Sequence, residues 1–261
     1  MADEEPIRHA WFDRVDGTGP VDHYDELAPV YDFVISRRHD HDAMAAFVAD
    51  RLPVDASAVC VGGSGPGRLL PRVADRYDEA VGVDLSPAMC DLAAARTDAE
   101  VVEGDVREYG AGEGFDGYTL LGNTLAHLSA GDVPTFLGTA RGALRDGGVL
   151  VLDFTPTGDL VNGYVRADSF ASDRVQVDRT RVVTVEDRDP DALGTPARYT
   201  YSYDVTDRQA DRTVTTGTSE PVRAFDPPAL LGAALGAGFA DVSLLNPPTS
   251  HRGGLLARVR E

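Results

Sequence analysis

The sequence predicts an α/β fold in which a mainly parallel sheet is followed by a smaller, inserted antiparallel sheet. From about residue 40 to 155, short apolar runs alternate with segments whose apolar residues recur at helical spacing, which is typical of parallel βαβ units. From about residue 160 to 225, polar residues alternate with β-branched and aromatic residues, which indicates antiparallel strands with one solvated face. After that stretch, one helix-like and two strand-like segments return the chain to the first sheet.

The elements of the first region have recognisable boundaries. Pro53 ends the first helix, and Ser86 with Pro87 supplies a hydroxyl cap and a first-turn proline for a later one. Gly147 and Gly148 open the fifth strand. In chain order we predict helix HDAMAAFVADRL, strand SAVCVG, helix RLLPRVADRY, strand EAVGVDL, helix PAMCDLAAAR, strands AEVVEGD and FDGYTLLGN, helix VPTFLGTARGALR and strand GGVLVLDF.

The second region has fewer boundary signals. Its predicted antiparallel strands are DRVQVDRTRVVTVE, ARYTYSYDVTD and DRTVTTGTS, and the segments RDPDALGTP and DRQAD between them are turn-like. The helix and strand within DPPALLGAALGAGFADVSLL follow, and GGLLARVR supplies the last strand.

The charge of the chain is strongly negative. Its 261 residues include 43 Asp and Glu against 24 basic residues, all of them Arg, which gives a net charge of -19. Self-repulsion of this size destabilises a compact state in dilute salt, whereas molar salt screens it. We therefore expect a halophilic protein, with an ordinary acidic protein as the alternative. The same charge argues against nucleic acid as a partner, although less strongly in a halophile.

The sequence has no pattern that indicates a disulfide, a metal site or a membrane segment. Cys60 and Cys90 have no close pair or metal-ligand spacing, and His39 and His41 are expected to lie at a solvated helix start, so we predict no disulfide and no metal. The charged first residues and the lack of a long apolar run predict no membrane segment and a cytoplasmic protein. A homo-oligomer is left open.

A glycine-rich turn and two carboxylates follow successive strands. Gly63, Gly65 and Gly67 lie in the turn after the first predicted strand, Asp84 ends the second, and Asp105 ends the third. Glycines let backbone approach a ligand, and a carboxylate about twenty residues later can accept both hydroxyls of a ribose. The glycine turn alone could be a tight turn without a ligand, but together these strand ends predict a nucleoside site.

A family resemblance rests on five ordered segments. The runs VCVGGSGPGRLL, GVDLSPAMCDLA, EGDVREY, GFDGYTLLGNTLAHL and ALRDGGVLVLDF resemble those of the class I S-adenosylmethionine-dependent methyltransferases over roughly residues 55 to 155. The resemblance implies a Rossmann-like sheet of seven strands with the last strand antiparallel, and S-adenosyl-L-methionine as cofactor. It also implies roles for matching positions. The three turn glycines would lie along the methionine and ribose, and Asp84 would hold the ribose. Leu85, Asp105 and Val106 would border the adenine, and Leu121 and Gly122 would form the wall after the fourth strand.

Two residues in or beside the glycine turn differ from the pattern of the family. Many members carry an acid where this chain has Val61, and Pro66 is uncommon inside the turn. The natural competitor is a nicotinamide dehydrogenase, but the dinucleotide fingerprint then asks for a third glycine where Arg68 stands.

The acceptor side resembles the glycine and sarcosine N-methyltransferase group. In that group an Asn and a His after the fourth strand face the substrate, and these match Asn123 and His127; a solvent-facing helix histidine is the alternative for His127. The arginine that holds the glycine carboxylate there is missing, because this chain has the run DFT from Asp153 to Thr155. NPPT, Asn246 to Thr249, is interpreted as a loop.

The segment YDELAPVYD resembles a lid over the cofactor. Tyr24 and Tyr31 would shield the sulfonium or merely pack the first helix, and Arg37 or Arg38 would reach the cofactor carboxylate.

We therefore expect methyl transfer by in-line displacement to the N or O atom of a small-molecule substrate, with His127 as base or orienting group. The alternatives are a catalytically silent S-adenosylmethionine-binding protein and, less favoured, an NAD-dependent Rossmann enzyme. The expected domains are residues 1–160, a lid plus cofactor-binding core; 161–225, a β insertion over the substrate; and 226–261, the rest of the core.

Overall fold

The structure, a computed structural model, describes Ile7 and residues 9–15, 22–186, 193–248 and 253–261. Within these ranges, eleven strands form two sheets. The main sheet contains β1 (Ala58–Gly62), β2 (Glu79–Asp84), β3 (Glu100–Glu103), β4 (Phe115–Leu120), β5 (Leu144–Phe154), β10 (Asp241–Leu245) and β11 (Gly253–Arg258). The second sheet, called the insertion sheet below, contains β6 (Val165–Ala171), β7 (Val175–Val185), β8 (Gly194–Asp207) and β9 (Arg212–Phe225).

The main sheet has the strand order β10-β11-β5-β4-β1-β2-β3. Neighbours among β1 to β5 are parallel, and β11 is antiparallel to both β5 and β10. The predicted seven-stranded sheet with an antiparallel last strand is therefore confirmed. The order reverses between β1 and β4, so the carboxyl ends of these strands border the crevice where open α/β sheets bind ligands.

Three helices of the described residues begin with a polar cap, and the one predicted from the sequence, Ser86, is confirmed. The Ser86 hydroxyl accepts a hydrogen bond from the Met89 amide, and the Asp226 and Asp40 carboxylates cap two other helices in the same way. The helices are α1 (His9–Val15), α2 (Ala28–Arg38), α3 (His41–Ala49), α4 (Leu70–Ala74), α5 (Pro87–Ala94), α6 (Asp132–Ala143) and α7 (Pro227–Gly236), with 3-10 helices at Thr124–His127 and Thr157–Asp159.

Apolar layers cover both faces of the main sheet. On one face, strands β4 and β5 pack against α6 and α7, with Tyr118, Phe136 and Leu230 fully buried. On the other face, Val59 and Val149 pack among residues of α3 and α4. Burial of each large side chain contributes about 1.5–3 kcal/mol, so these layers fix the strands whose ends form the site.

The insertion sheet is antiparallel, in the order β6-β7-β8-β9. One end of its inner face, including Val177 and Val205, packs with Trp11 and Phe12 of α1 and Phe33 of α2. The N-terminal helices and the insertion sheet therefore share a core of their own above the main sheet.

Several predicted boundaries are wrong. The fifth strand begins at Leu144, not at Gly147, and α6 ends at Ala143, because the chain pairs with β4 already at Phe115 and then passes a register irregularity. β9 runs on through Pro221, which an edge strand tolerates because its outer amides need no partner.

The helices α1 and α2 and the strand β6 were not among the elements predicted from the sequence. Thr249 and residues 188–192 of the predicted turn lie outside the described residues, and the division at residues 160 and 225 stays a prediction. No helix among the described residues is long and apolar enough to cross a bilayer.

Candidate cofactor and acceptor site

The glycine turn after β1 has a backbone that other residues adopt with strain. Gly63, Gly65 and Gly67 have φ values of +58°, +54° and +76°. A Cβ on Gly63 would lie 2.5 Å from the Thr124 side chain, and one on Gly67 would lie 2.7 Å from the Ala93 Cα. A Cβ on Gly65 would meet nothing within 4 Å. Gly63 and Gly67 thus allow close packing, and Gly65 leaves open space where the family resemblance places the cofactor.

The Asp84 carboxylate is tied to this turn. Its Oδ2 accepts from the Gly65 amide at 2.8 Å, and its Oδ1 accepts from the Ser86 amide at 3.0 Å. Burial raises the pKa of Asp84, and these amide hydrogen bonds oppose the shift. An ionised carboxylate accepts about four hydrogen bonds, so Asp84 keeps capacity to accept from a ribose hydroxyl.

The next two strand ends present an apolar surface and a second carboxylate. Leu85 is 68% exposed, whereas Val106 and Leu121 are buried. Asp105 accepts from Arg107 Nε at 2.9 Å, and this guanidinium holds the pKa of Asp105 below its ordinary value. Arg107 is a partner of Asp105 that the sequence analysis did not anticipate. An adenine amino group would therefore share Asp105 with Arg107.

A cavity of about 410 Å³ lies between the main sheet and the insertion sheet. Its walls come from the glycine turn, α2, the segment 121–127 and the inner face of the insertion sheet. Asp84, Leu85, Asp105 and Val106 lie outside this lining, at the neighbouring strand ends. The predicted site residues that do line it are Gly63, Gly65, Leu121, Gly122, Asn123, His127, Tyr24 and Tyr31, whereas Gly67 does not.

His127 meets Tyr24 across the cavity. The Tyr24 hydroxyl lies 2.8 Å from His127 Nε2, and the two rings are perpendicular with centroids 5.4 Å apart. Burial raises the pKa of Tyr24 well above its ordinary value, so the phenol stays neutral. His127 itself is exposed. A residue 103 positions earlier in the chain thus orients the predicted histidine.

Asn123 is held from two sides. It has a left-handed backbone with φ +71°, its amide donates to Asp153 Oδ1 at 2.6 Å, and its Oδ1 accepts from the Thr155 hydroxyl at 2.9 Å. Asp153 is fully buried and also accepts from the Gly122 amide at 3.2 Å. Asp153 was noted in the sequence only for the missing arginine beside it. A carboxylate directly after the apolar run at residues 149–152 was the available signal, because a buried charge needs such partners.

Aromatic side chains of the N-terminal segment cluster at the cavity. The ring of buried His23 lies 4.8 Å from that of Tyr24, 5.4 Å from that of Tyr31 and 5.0 Å from that of Tyr201. His23 Nδ1 is 2.8 Å from Glu220 Oε1. Tyr31 therefore lines the cavity and also packs against the segment before α2, so both predicted roles remain compatible with its position.

The two predicted α2 arginines separate. Arg38 lines the cavity, whereas the Arg37 guanidinium lies 3.6 Å above the ring of Phe33 in its own helix. Of the two, Arg38 is the one that could reach a cofactor carboxylate.

A buried ion cluster joins α2 to the glycine turn. Asp32 is fully buried and pairs with Arg68 at 2.7 Å and with Arg96, which also bonds the Pro66 carbonyl. Arg68 is the residue that breaks the dinucleotide fingerprint. Its structural role is to anchor α2, called the lid helix below, beside the glycine turn.

Val61 lines the cavity where many family members carry an acid.

The described residues contain no group of three or more His, Cys, Asp or Glu side chains arranged for a metal, and His39 and His41 are partly buried beside the cavity.

Comparisons with known proteins agree with this architecture. The family described as Methyltransferase domain matches residues 59–148. The chain is 31% identical over 171 residues to the dTDP-3-amino-3,6-dideoxy-alpha-D-glucopyranose N,N-dimethyltransferase of Streptomyces fradiae, covering 62% of this chain and 66% of that protein. It is 32% identical to the Cypemycin N-terminal methyltransferase of a Streptomyces species, covering 62% of this chain and 67% of that one. The chain thus matches about two thirds of the length of each relative.

Solved structures share the fold over most of the chain. DesVI of Streptomyces venezuelae superposes with a TM-score of 0.79 at 24% identity, over 92% of this chain and 99% of that one. An amino pentose methyltransferase from Micromonospora echinaspora, solved with S-adenosylmethionine bound, superposes with a TM-score of 0.77 at 24% identity, over 88% and 96%. With the sequence relatives and the glycine turn, the chain belongs to the S-adenosylmethionine-dependent methyltransferases.

Proposed function

We propose that this protein transfers a methyl group to the nitrogen of a small-molecule amine. The observation that carries the proposal is the Tyr24–His127 pair, which faces the cavity beside the glycine turn. Both curated relatives support it, because their names describe methylation of nitrogen, on an amino sugar and at a peptide N-terminus. The narrower likeness to glycine and sarcosine N-methyltransferases stays a prediction.

The residues around the turn fit S-adenosylmethionine. Gly65 leaves open space at the cavity wall, and Asp84 keeps acceptor capacity for the ribose. Leu85 offers an exposed apolar surface for the adenine, and Arg38 offers a cation for the cofactor carboxylate. When bound, this cofactor supplies a methyl group on a sulfonium.

The residues of the acceptor side hold and align an amine. An amine attacks only as the neutral base, so a group that accepts its proton assists the reaction. His127 is the candidate base. Because the neutral Tyr24 hydroxyl bonds to its Nε2, the amine would give its proton to the Tyr24 oxygen while the Tyr24 proton moves to Nε2. Alignment of the two reactants contributes about 7–11 kcal/mol in favourable cases, so positioning carries most of the catalysis.

The experiment is a methyl-transfer assay on the small-molecule fraction of a cell extract. Its two readouts are the release of S-adenosylhomocysteine and the gain in mass of the product. We expect an N-methylated product, with turnover reduced roughly tenfold to a thousandfold in His127→Asn and less in Tyr24→Phe, at unchanged cofactor affinity. Tyr164→Phe is the matched control, because it removes one hydroxyl from another tyrosine of the cavity lining. Equal losses of turnover and cofactor affinity would contradict the role of His127.

The two alternatives give different results in the same assay. A catalytically silent binding protein binds S-adenosylmethionine tightly and methylates no fraction. An NAD-dependent enzyme binds NAD and not S-adenosylmethionine in calorimetry at molar salt, but family membership disfavours it.

We also propose a halophilic cytoplasm as the setting of the enzyme. The net charge of -19 and the complete use of Arg in place of Lys support this proposal.

A further inference from the structure

The inner face of the insertion sheet changes from apolar to charged where it covers the cavity. On β7, Val177 and Val183 face the core, and Arg179 and Arg181 stand between them on the same side, since alternate residues of a strand share a face. Val183 packs with Ala126, the residue before His127. The two arginines therefore follow directly along the wall that adjoins the proposed catalytic histidine.

Cations outnumber anions in this part of the cavity. Arg38, Arg166, Arg179 and Arg181 all line it. Three of them share Asp168, which lies 2.6 Å from Arg179, 2.8 Å from Arg166 and 3.7 Å from Arg38. The cavity lining also contains two acids, exposed Asp159 and half-buried Glu220, and Glu220 lies against His23. One carboxylate therefore serves three guanidiniums, in a protein whose overall charge is strongly negative.

The fourth cation has no acid. Among the described residues, the Arg181 side chain has no ion pair or hydrogen bond, and its guanidinium lies 4.7 Å above the Tyr199 ring with a buried Nε. Arg179 is only 8% exposed, and its Nε is also buried without a hydrogen-bond partner in the same ranges. A buried guanidinium N–H without an acceptor is costly, and such donors usually have a hydrogen-bond partner.

Mutual repulsion is visible at the edge of the cluster. Burial, together with the positive charges of Arg179 and Arg166, lowers the pKa of Arg38 to about 10. An added anion in the cavity would relieve this repulsion and supply the missing acceptors.

We propose that the acceptor is an amine that also carries a compact anionic group, a carboxylate or a phosphate, and that Arg179 and Arg181 bind this group. The inference rests on the proposed N-methyl transfer. Arginine suits the role because its fork of N–H donors matches both oxyanions, and these charge-assisted bonds are strong. The arginine clamp that the sequence lacks after β5 is thus replaced by a pair from a different sheet, and the amine end is left to face His127.

The test measures anion binding by calorimetry on the full chain loaded with S-adenosylhomocysteine, in molar potassium chloride. The probes are inorganic phosphate and acetate, and which of them binds identifies the source of the charge. We expect saturable binding of at least one probe, weakened about tenfold or more by Arg181→Gln and less by Arg181→Lys, at unchanged S-adenosylhomocysteine affinity. Arg198→Gln is the matched control, because Arg198 lies on the outer face of the same sheet and pairs with Glu186.

Two results would overturn the inference: neither anion binds saturably to the wild-type chain, or Arg198→Gln weakens binding as much as Arg181→Gln does. A parallel methyl-transfer assay on extract fractions from an anion exchanger separates this inference from the proposed function. An acceptor in the retained fraction supports the inference. An acceptor found only in the unretained fraction refutes it while N-methylation stands. Anion binding without methylation of any fraction leaves the arginine site intact and refutes the function.

Discussion

Asp84 receives hydrogen bonds from two backbone amides, of Gly65 and Ser86, which fix the direction of its carboxylate before any ligand arrives. One of these amides belongs to the glycine turn itself. The residue that would hold the ribose and the turn that would border the methionine are therefore one hydrogen-bonded unit.

We predict that Asp84→Asn weakens S-adenosylmethionine binding about tenfold to a hundredfold, because hydrogen bonds to a charged group contribute about 1.5–3 kcal/mol. Calorimetry measures the affinity. Asp91→Asn, on the exposed side of the adjacent α5, is the matched control. Unchanged affinity in Asp84→Asn would exclude its ribose role.

His41 gives the fold a specific pH dependence. Burial, and then the charges of Arg72 and Arg68, lower the pKa of His41 from 6.5 to about 4. As pH falls below 6.5 the unfolded chain gains a proton on His41 that the folded chain refuses, so the free energy of unfolding decreases until about pH 4. We expect His41→Gln to show a shallower decrease over this range in denaturant unfolding. His39→Gln, from the same turn, should keep the wild-type slope, and identical slopes in all three proteins would contradict the prediction.

At the scale of elements, the glycine turn combines packing with open space. Gly63 and Gly67 are fixed by the close approach of Thr124 and Ala93, whereas Gly65 is open on its Cβ side. The turn is also anchored to α2 through the ion pair between Arg68 and Asp32. The lid helix and the turn therefore cannot move independently without breaking a buried ion pair, which costs about 3–5 kcal/mol when one partner is lost.

We predict that Gly65→Ala and Gly112→Ala lose similar stability, about 1–2 kcal/mol, because both need a positive φ and neither added Cβ meets a neighbour. Only Gly65→Ala should also lose affinity for S-adenosylmethionine, since Gly65 lines the cavity. Chemical unfolding and calorimetry measure the two quantities. Equal cofactor affinity in both variants would show that the open space beside Gly65 is not used.

The site as a whole is closed by two sheets. The main sheet supplies the strand ends, and the insertion sheet supplies the cover and its arginines. The positive cover contrasts with the acidic protein around it, and such a local field attracts anions even where the net charge repels them.

At the scale of the whole molecule, we predict that the melting temperature rises as potassium chloride is increased from dilute to molar concentration. Salt shortens the Debye length to about 3 Å at 1 M and thereby reduces the repulsion among the surplus acids. Thermal unfolding by circular dichroism measures the change. Sucrose of equal osmolality is the control, because it is excluded from protein surfaces without screening charge. A melting temperature that responds equally to both, or falls with salt, would contradict the halophilic interpretation.

The main sheet was predictable because its signals are local. The apolar run of β1, the glycine turn and the Ser86 cap each lie within a few residues, and their periods and turn residues identify them. The boundary between α6 and β5 was not predictable in this way, because the pairing of Leu144 with Phe115 depends on a strand nearly thirty residues away. β6 was missed because its alternating residues are largely exposed.

By itself the sequence determined which candidate ligand-binding residues follow each of the first three parallel strands: a glycine turn, then Asp84, then Asp105. Parallel strands bring such residues to one edge, so spacing along the chain was enough to predict a nucleoside site. Only the tertiary structure decided which distant groups share the cavity. Tyr24 meets His127, and Arg179 and Arg181 face the same space from another sheet. The packing of one sheet over the other determines these contacts, and no local sequence pattern encodes it.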